Sequence, residues 1–272
     1  MNPEPRPELS KDFSKASTAP LAFIEYRKRS SEEINKLIDK YQEGNLSDAA
    51  IEAHFAADPQ TRDIIKFVMD AFKGEKRKSG GHLSSHSLQL AETARKFGVT
   101  DKDVLQTALL HDVIEDTPHT KEEIAEKFGE KLATFADLMT EKRNLEDRDL
   151  SVVAFVEQLR SGGYVTEAAE TVDRLDDISD IGYLTKKLQD PALSTEKHAS
   201  VKQEIAKKFG KCRFTLDQLL PSFRDRLEIK QLEQIFNSVL DAQAAEYHIP
   251  SDTIQAEYDN YVNKKSQYLA GN

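Results

Sequence analysis

Apolar positions recur with a helical period along nearly the whole chain. Ile34, Leu37 and Ile38 share one face between Ser30 and Tyr41, and Ile64, Ile65, Val68 and Phe72 share one between Pro59 and Phe72. Leu88, Leu90 and Ala91 mark a further helix that ends near Gly98. Asp101 is placed to cap a helix running through Val104, Ala108 and Leu109 to Glu115. Thr120 followed by Glu123 forms a capping-box pattern, opening a short helix that Gly129 closes. Leu132, Phe135, Ala136 and Met139 mark the next helix. Val152, Val153, Val156 and Leu159 mark another, stopped by Gly162 and Gly163, and 166–181 continue with Val172, Leu175 and Ile178. Beyond Leu193 the pattern predicts charged amphipathic helices with breaks near Gly210, Pro221 and Pro250. No hairpin turn between alternating apolar runs is seen, and no repeat of fixed period. The expected fold is all-α. Residues 1–20, with four prolines, read as a mobile arm, 21–58 as a helical extension, 59–193 as the core, and 194–272 as helices packing on it.

Composition narrows the class. The 272 residues are 38% hydrophobic and 32% charged, with a net charge of −10. No apolar run approaches the roughly 18 residues of a membrane span, and the start, MNPEPRPELS, does not read as a secretory leader. A cytoplasmic protein without membrane contact is expected. The single cysteine, Cys212, excludes an intrachain disulfide and a four-cysteine zinc site. The acidic balance argues against nucleic acid, whose backbone is held by clustered Lys and Arg.

Local chemistry is more specific. His86, the dipeptide His111-Asp112 and Asp173 offer two imidazoles and two carboxylates, a ligand set for a borderline divalent metal that leaves positions for water and a phosphate oxygen. Sixty-one residues separate Asp112 from Asp173, so only tertiary packing could assemble them. Glu115, four residues after His111, shares its helix face and is a candidate to orient or deprotonate a water, with Asp116 as a second. Asp173–Asp177 and Asp176–Asp180 are like-charge i,i+4 pairs, each unfavourable by roughly 0.2–0.5 kcal/mol in a helix. A bound cation would reverse the sign for one pair, and the other is expected to be exposed. Lys73, Lys76, Arg77 and Lys78 place four cations just before His86, and Gly80 and Gly81 would let backbone approach a ligand closely.

The order of four segments resembles a known family. KGEKRKSGGHLSSH (Lys73–His86), LLHDVIEDT (Leu109–Thr117), FGEKLATFADLMT (Phe128–Thr140) and VDRLDD (Val172–Asp177) are similar to the HD-domain guanosine polyphosphate pyrophosphohydrolases, the hydrolase module of RelA/SpoT-type proteins and their small stand-alone relatives. The likeness spans about residues 60–190. It implies a helical HD bundle whose metal, manganese in type, sits on His86, His111, Asp112 and Asp173. Glu115 and Asp116 would then activate the attacking water, and Arg77 and Lys78 would face the nucleotide, the arginine near the guanine. The implied reaction removes the 3′-pyrophosphate of ppGpp or pppGpp. No counterpart of the family's synthetase domain is read in the C-terminal helices. The chain departs from the family pattern in carrying Asp177, a substrate-side position, where asparagine is usual, and Glu170 where lysine is common. Two further readings therefore stand beside the first. One is an HD phosphohydrolase for another nucleotide or cofactor phosphate; the other is a non-catalytic nucleotide-binding regulator. Composition and motifs leave any protein partner unspecified.

Overall fold

Short polar side chains cap six of the helices. In the computed structural model, which describes residues 19–142, 145–223 and 225–271, the chain begins in α1 (Ala19–Gln42), followed by α2 (Asp48–Phe55), α3 (Pro59–Ala71) and α4 (Ser85–Lys96). The Ser47 hydroxyl caps α2 by accepting from Ala50 N–H, and the Asp58 carboxylate caps α3 by accepting from Gln60 and Thr61. Next come α5 (Lys102–Leu110), α6 (Val113–Asp116), α7 (Lys121–Phe128), α8 (Glu130–Met139) and α9 (Arg148–Ser161). Asp101 caps α5 and the Thr120–Glu123 capping box opens α7, both as predicted. The last five helices are α10 (Tyr164–Ser179), α11 (Gly182–Leu188), α12 (Thr195–Leu219), α13 (Leu227–Glu246) and α14 (Ser251–Gly271). Among the described residues there is no strand, only one isolated bridge between Lys76 and His82 that closes the basic loop. The all-α expectation holds.

Boundaries shift where packing overrides local signals. The arm predicted over 1–20 lies outside the described residues except for Ala19 and Pro20, which already open α1. The helix predicted from Asp101 to Glu115 is interrupted: α5 stops at Leu110, His111 and Asp112 form a turn, and α6 restarts at Val113. Gly210 does not break a helix. It lies inside α12 where α14 crosses, and a Cβ there would sit 2.6 Å from Glu257 Cβ and 2.9 Å from Tyr258 N. The glycine is a contact point for two helices, not a stop signal. The breaks expected at Pro221 and Pro250 are present.

Two apolar cores meet along α1, α4 and α5. Phe23, Leu90, Val104, Val156, Val172, Phe209 and Val239 belong to the larger core, which joins α9, α10 and α12–α14. Ile34, Ile38, Ile64, Leu88, Leu109 and Ile124 belong to the smaller, built on α2, α3, α7 and α8. Because α1, α4 and α5 each contribute to both, they are fixed from two sides, and such elements hold polar side chains in defined positions. The candidate site opens beside them.

Candidate metal centre

His86 enters from the first turn of α4, His111 from the C-cap of α5, and Asp173 from the middle of α10. One donor atom from each lies within 4.8 Å of the other two. His86 Nε2 is 3.0 Å from Asp173 Oδ1, and His111 Nε2 is 2.9 Å from Asp112 Oδ2. His86 Nε2 and Asp112 Oδ2 are 3.9 Å apart, so Asp112 borders the group formed by His86, His111 and Asp173. The interruption between α5 and α6 is what turns both members of the dipeptide toward one point.

The remaining imidazole nitrogens are fixed from behind. His111 Nδ1 lies 2.9 Å from the carbonyl of Ala108, which can only accept, so Nδ1 carries the proton. His86 Nδ1 lies 2.9 Å from Asp176 Oδ2. Both rings therefore turn an Nε2 toward the cluster, the arrangement found where histidine binds a metal and gives its other N–H to a carbonyl or carboxylate. His111 Nε2 is buried, with Asp112 Oδ2 2.9 Å away but not aligned for a hydrogen bond. A buried nitrogen without a well-directed partner costs roughly 1–3 kcal/mol, and a cation between the two groups would remove that cost. Two imidazoles with two carboxylates also form the donor set that borderline divalent ions take. The residues fit a divalent metal.

Charge reinforces the geometry. Burial opposes protonation of His86, but the hydrogen bonds its ring donates to Asp173 and Asp176 outweigh it and push its pKa up to about 10. Burial pulls Asp173 upward, yet Arg174 and His86 hold it far below the usual carboxylate range. Asp112 is likewise lowered, with burial outweighed by His111. The site thus carries ionised carboxylates beside its two imidazoles.

A cleft of about 210 Å³ opens in front of these groups. At ~30 Å³ per water it has room for several waters or a phosphoryl group. Glu115, Asp116 and Asp177 line it as well, so the structure brings seven of the nine sequence-predicted site residues together. Glu115 Oε2 accepts from the backbone N–H of Glu141 at 2.9 Å, which steadies its carboxylate at the cleft wall. Arg77 and Lys78 are not among the lining residues. The Arg77 guanidinium is taken up behind the His86 ring, 2.8 Å from Asp180 and 3.4 Å from Asp176, and Lys78 is exposed on the loop. Gly81 meets the chain itself: a Cβ there would lie 2.7 Å from Asn35 Oδ1, which also accepts from His82 N–H.

Several contributors were not legible. Among the described residues, Arg174 and Lys211 are the Lys and Arg side chains that line the cleft. Arg174 sits between Glu170 Oε1, 2.9 Å from its Nε, and Asp177 Oδ2, 2.7 Å from its Nη1, with Asp173 also in contact. Lys208 reaches Asp177 Oδ1 at 2.7 Å. Lys208 and Lys211 come from α12, far along the sequence, and nothing in their local pattern marks them. The Asp176–Asp180 pair expected at the surface is instead engaged by Arg27 and Arg77, with Asp176 only 2% exposed. Arg27 did leave a signal: it occupies a core position of the stripe Phe23, Tyr26, Ser30, Ile34, where a cation is out of place unless paired.

Residues 65–160 match the family model of the HD domain, and Asp173 lies beyond the matched segment. The guanosine-3′,5′-bis(diphosphate) 3′-pyrophosphohydrolase of Haemophilus influenzae is 37% identical over 79 residues, covering 29% of this chain and 12% of that protein. The Vibrio cholerae protein of the same name is 34% identical over 108 residues, covering 39% of this chain and 15% of its own length. The chain thus spans a small fraction of the curated relatives it matches. A solved structure described as a metazoan ortholog of SpoT that hydrolyzes ppGpp superposes with a TM-score of 0.52 at 19% identity, covering 71% of this chain and 98% of that one. That likeness extends the shared fold to most of the described helices.

Proposed function

We propose that the protein is a metal-dependent phosphohydrolase that removes the 3′-pyrophosphate of ppGpp or pppGpp, leaving GDP or GTP. The observation that carries this reading is the buried cluster of His86, His111 and Asp173, with each imidazole's second nitrogen tied to a fixed acceptor. His86, His111, Asp112 and Asp173 would hold the ion, with Mn²⁺ as the expected occupant. When bound, such an ion supplies positive charge that offsets phosphate and acidifies water.

The chain's own groups do the remainder. Glu115, held by Glu141 N–H, is positioned to accept a proton from the attacking water, and Asp116 lies beside it at the cleft. Arg174 and Lys211 present cations to the phosphates, where oriented charge stabilises the transferring group more than water could. Exposed Lys78 and cleft-lining Asp177 are the nucleotide contacts of this proposal, while Arg77 acts through Asp176 and Asp180. The names of the relatives, which specify guanosine-3′,5′-bis(diphosphate), support the substrate.

One observation favours a second substrate. Asp177 is a carboxylate bound by both Arg174 and Lys208, so the cleft differs in charge from one with an amide there, and another phosphorylated nucleotide would then be preferred. Mn²⁺-loaded protein incubated with ppGpp should release pyrophosphate, and His111→Ala should abolish both metal uptake and turnover. Intact ppGpp beside cleavage of another nucleotide in a panel would move the assignment to that nucleotide.

A further inference from the structure

The helix preceding the HD match reaches the metal cluster through a buried carboxylate. Arg27 of α1 is 7% exposed, and its Nε and Nη2 donate to the two oxygens of Asp176 at 2.5 and 3.0 Å. Arg77 Nη2 lies 3.4 Å from Asp176 Oδ2. That same Oδ2 faces His86 Nδ1 at 2.9 Å, while the opposite ring nitrogen is 3.0 Å from Asp173. Arg27, Asp176 and His86 thus form one chain of contacts running from α1 through α10 to α4 and ending at the cluster.

The geometry points to Arg27 as a positioning residue for the metal centre: its fork fixes the plane of the Asp176 carboxylate, which holds the His86 proton on Nδ1 and leaves Nε2 to the ion. This rests on the proposed metal site. Three physical features support it. A guanidinium cannot lose its proton in a protein, so it compensates the buried carboxylate permanently. A bidentate pair fixes orientation as well as charge, and the direction of the Oδ2 lone pair decides where the imidazole N–H points. A carboxylate behind a metal-ligating histidine also raises the ligand's basicity, and loss of such a partner typically weakens metal binding by about 10–100-fold. Arg77 supplies a second cation to Asp176, but through a single longer contact, and its main partner is Asp180 at 2.8 Å. The orienting contribution therefore belongs to Arg27. The basic loop and the N-terminal helix then share a role that a nucleotide-contact reading of Arg77 would miss.

Titration calorimetry with Mn²⁺ alone, on the full chain, tests this. Relative to wild type, Asp176→Asn and Arg27→Gln should each weaken Mn²⁺ binding by about 10-fold or more, and Arg27→Lys, which keeps charge without the fork, should recover part of the loss. Wild-type affinity in Arg27→Gln would overturn the role while leaving the metal site standing. Failure of the wild-type chain to take up Mn²⁺ would overturn both. Because the variants lose a buried ion pair, a second measurement uses the unmutated protein. In the diamagnetic Zn²⁺-loaded form, ¹H–¹⁵N correlations should find the His86 proton on Nδ1, and a proton on Nε2 would overturn the inference even if no variant folds.

Discussion

Helix α10 and its C-cap set four aspartates within two turns, yet the two sides treat them differently. Asp176 and Asp180 point away from the cleft and are matched by Arg27 and Arg77, two cations for two carboxylates. Asp173 and Asp177 point into it, where the described lining residues include seven acidic side chains against Arg174, Lys211 and the two histidines, His86 and His111. The balanced side completes its charges within the chain. The cleft side carries a surplus of negative charge that a divalent ion would offset. Identical residue types one turn apart thus acquire different work from what packs against them.

The sharpest way to break the comparison is to neutralise the cleft side. Asp173→Asn keeps the shape of the side chain but removes charge from the cluster, and it should lower ppGpp turnover by about 10³-fold or more together with Mn²⁺ affinity, read by pyrophosphate release and calorimetry. A variant retaining turnover would show that the surplus has no metal to balance.

Another carboxylate on the same helix supplies a reference with neither arrangement. Glu167 is buried, its Oε2 has no hydrogen-bond partner, and burial pushes its pKa up to about 7, with Arg160 opposing. The folded state therefore holds this proton more tightly than the unfolded chain, whose glutamate titrates near 4.3. Its contribution is present at low pH and is lost as pH rises through about 7. Glu167→Gln should leave stability at pH 4 nearly unchanged and raise it at pH 8 by on the order of 1–3 kcal/mol, measured by urea denaturation at both values.

Displacing α12 tests whether the cleft depends on the C-terminal helices. Gly210 lies between Lys208 and Lys211, and a methyl there meets the α14 backbone. Gly210→Ala should cost about 1–3 kcal/mol, despite alanine's better helix propensity, because the clash is with main chain. The expected companion is a raised KM with Mn²⁺ affinity retained. The smallest change is on the balanced side: Asp180→Asn keeps an acceptor for Ser79, whose hydroxyl donates to Asp180 at 2.9 Å. It should lower stability by about 1 kcal/mol and leave Mn²⁺ affinity within about twofold, since the Arg27–Asp176 contact remains.

The comparison also explains which parts of the site were legible. His86, the His111-Asp112 dipeptide and Asp173 stand out as residue types, because few other side chains offer the same donors. Asp176 offered the same chemistry but was expected at the surface, since a one-dimensional reading of like-charge pairs cannot see an arginine 149 residues away. Arg77 was expected at the nucleotide, and its ion pairs with Asp176 and Asp180 are likewise with residues distant in sequence. Helix caps at Asp101 and Thr120 were readable because their hydrogen bonds are local. Gly210 was read as a break because propensity describes a helix alone, whereas here the missing side chain lets another helix approach.

By itself the sequence determined the helical class, most of the apolar faces and the donor types of the cluster. These follow from periodicity and side-chain chemistry, which are properties of neighbouring residues. Only the tertiary structure decided that α5 breaks at His111, that Asp176 is buried between two arginines, and that α12 brings Lys208 and Lys211 to α10 and its cleft. Those outcomes depend on the packing of segments distant in the chain, where burial fixes a charge only once its partner is in place.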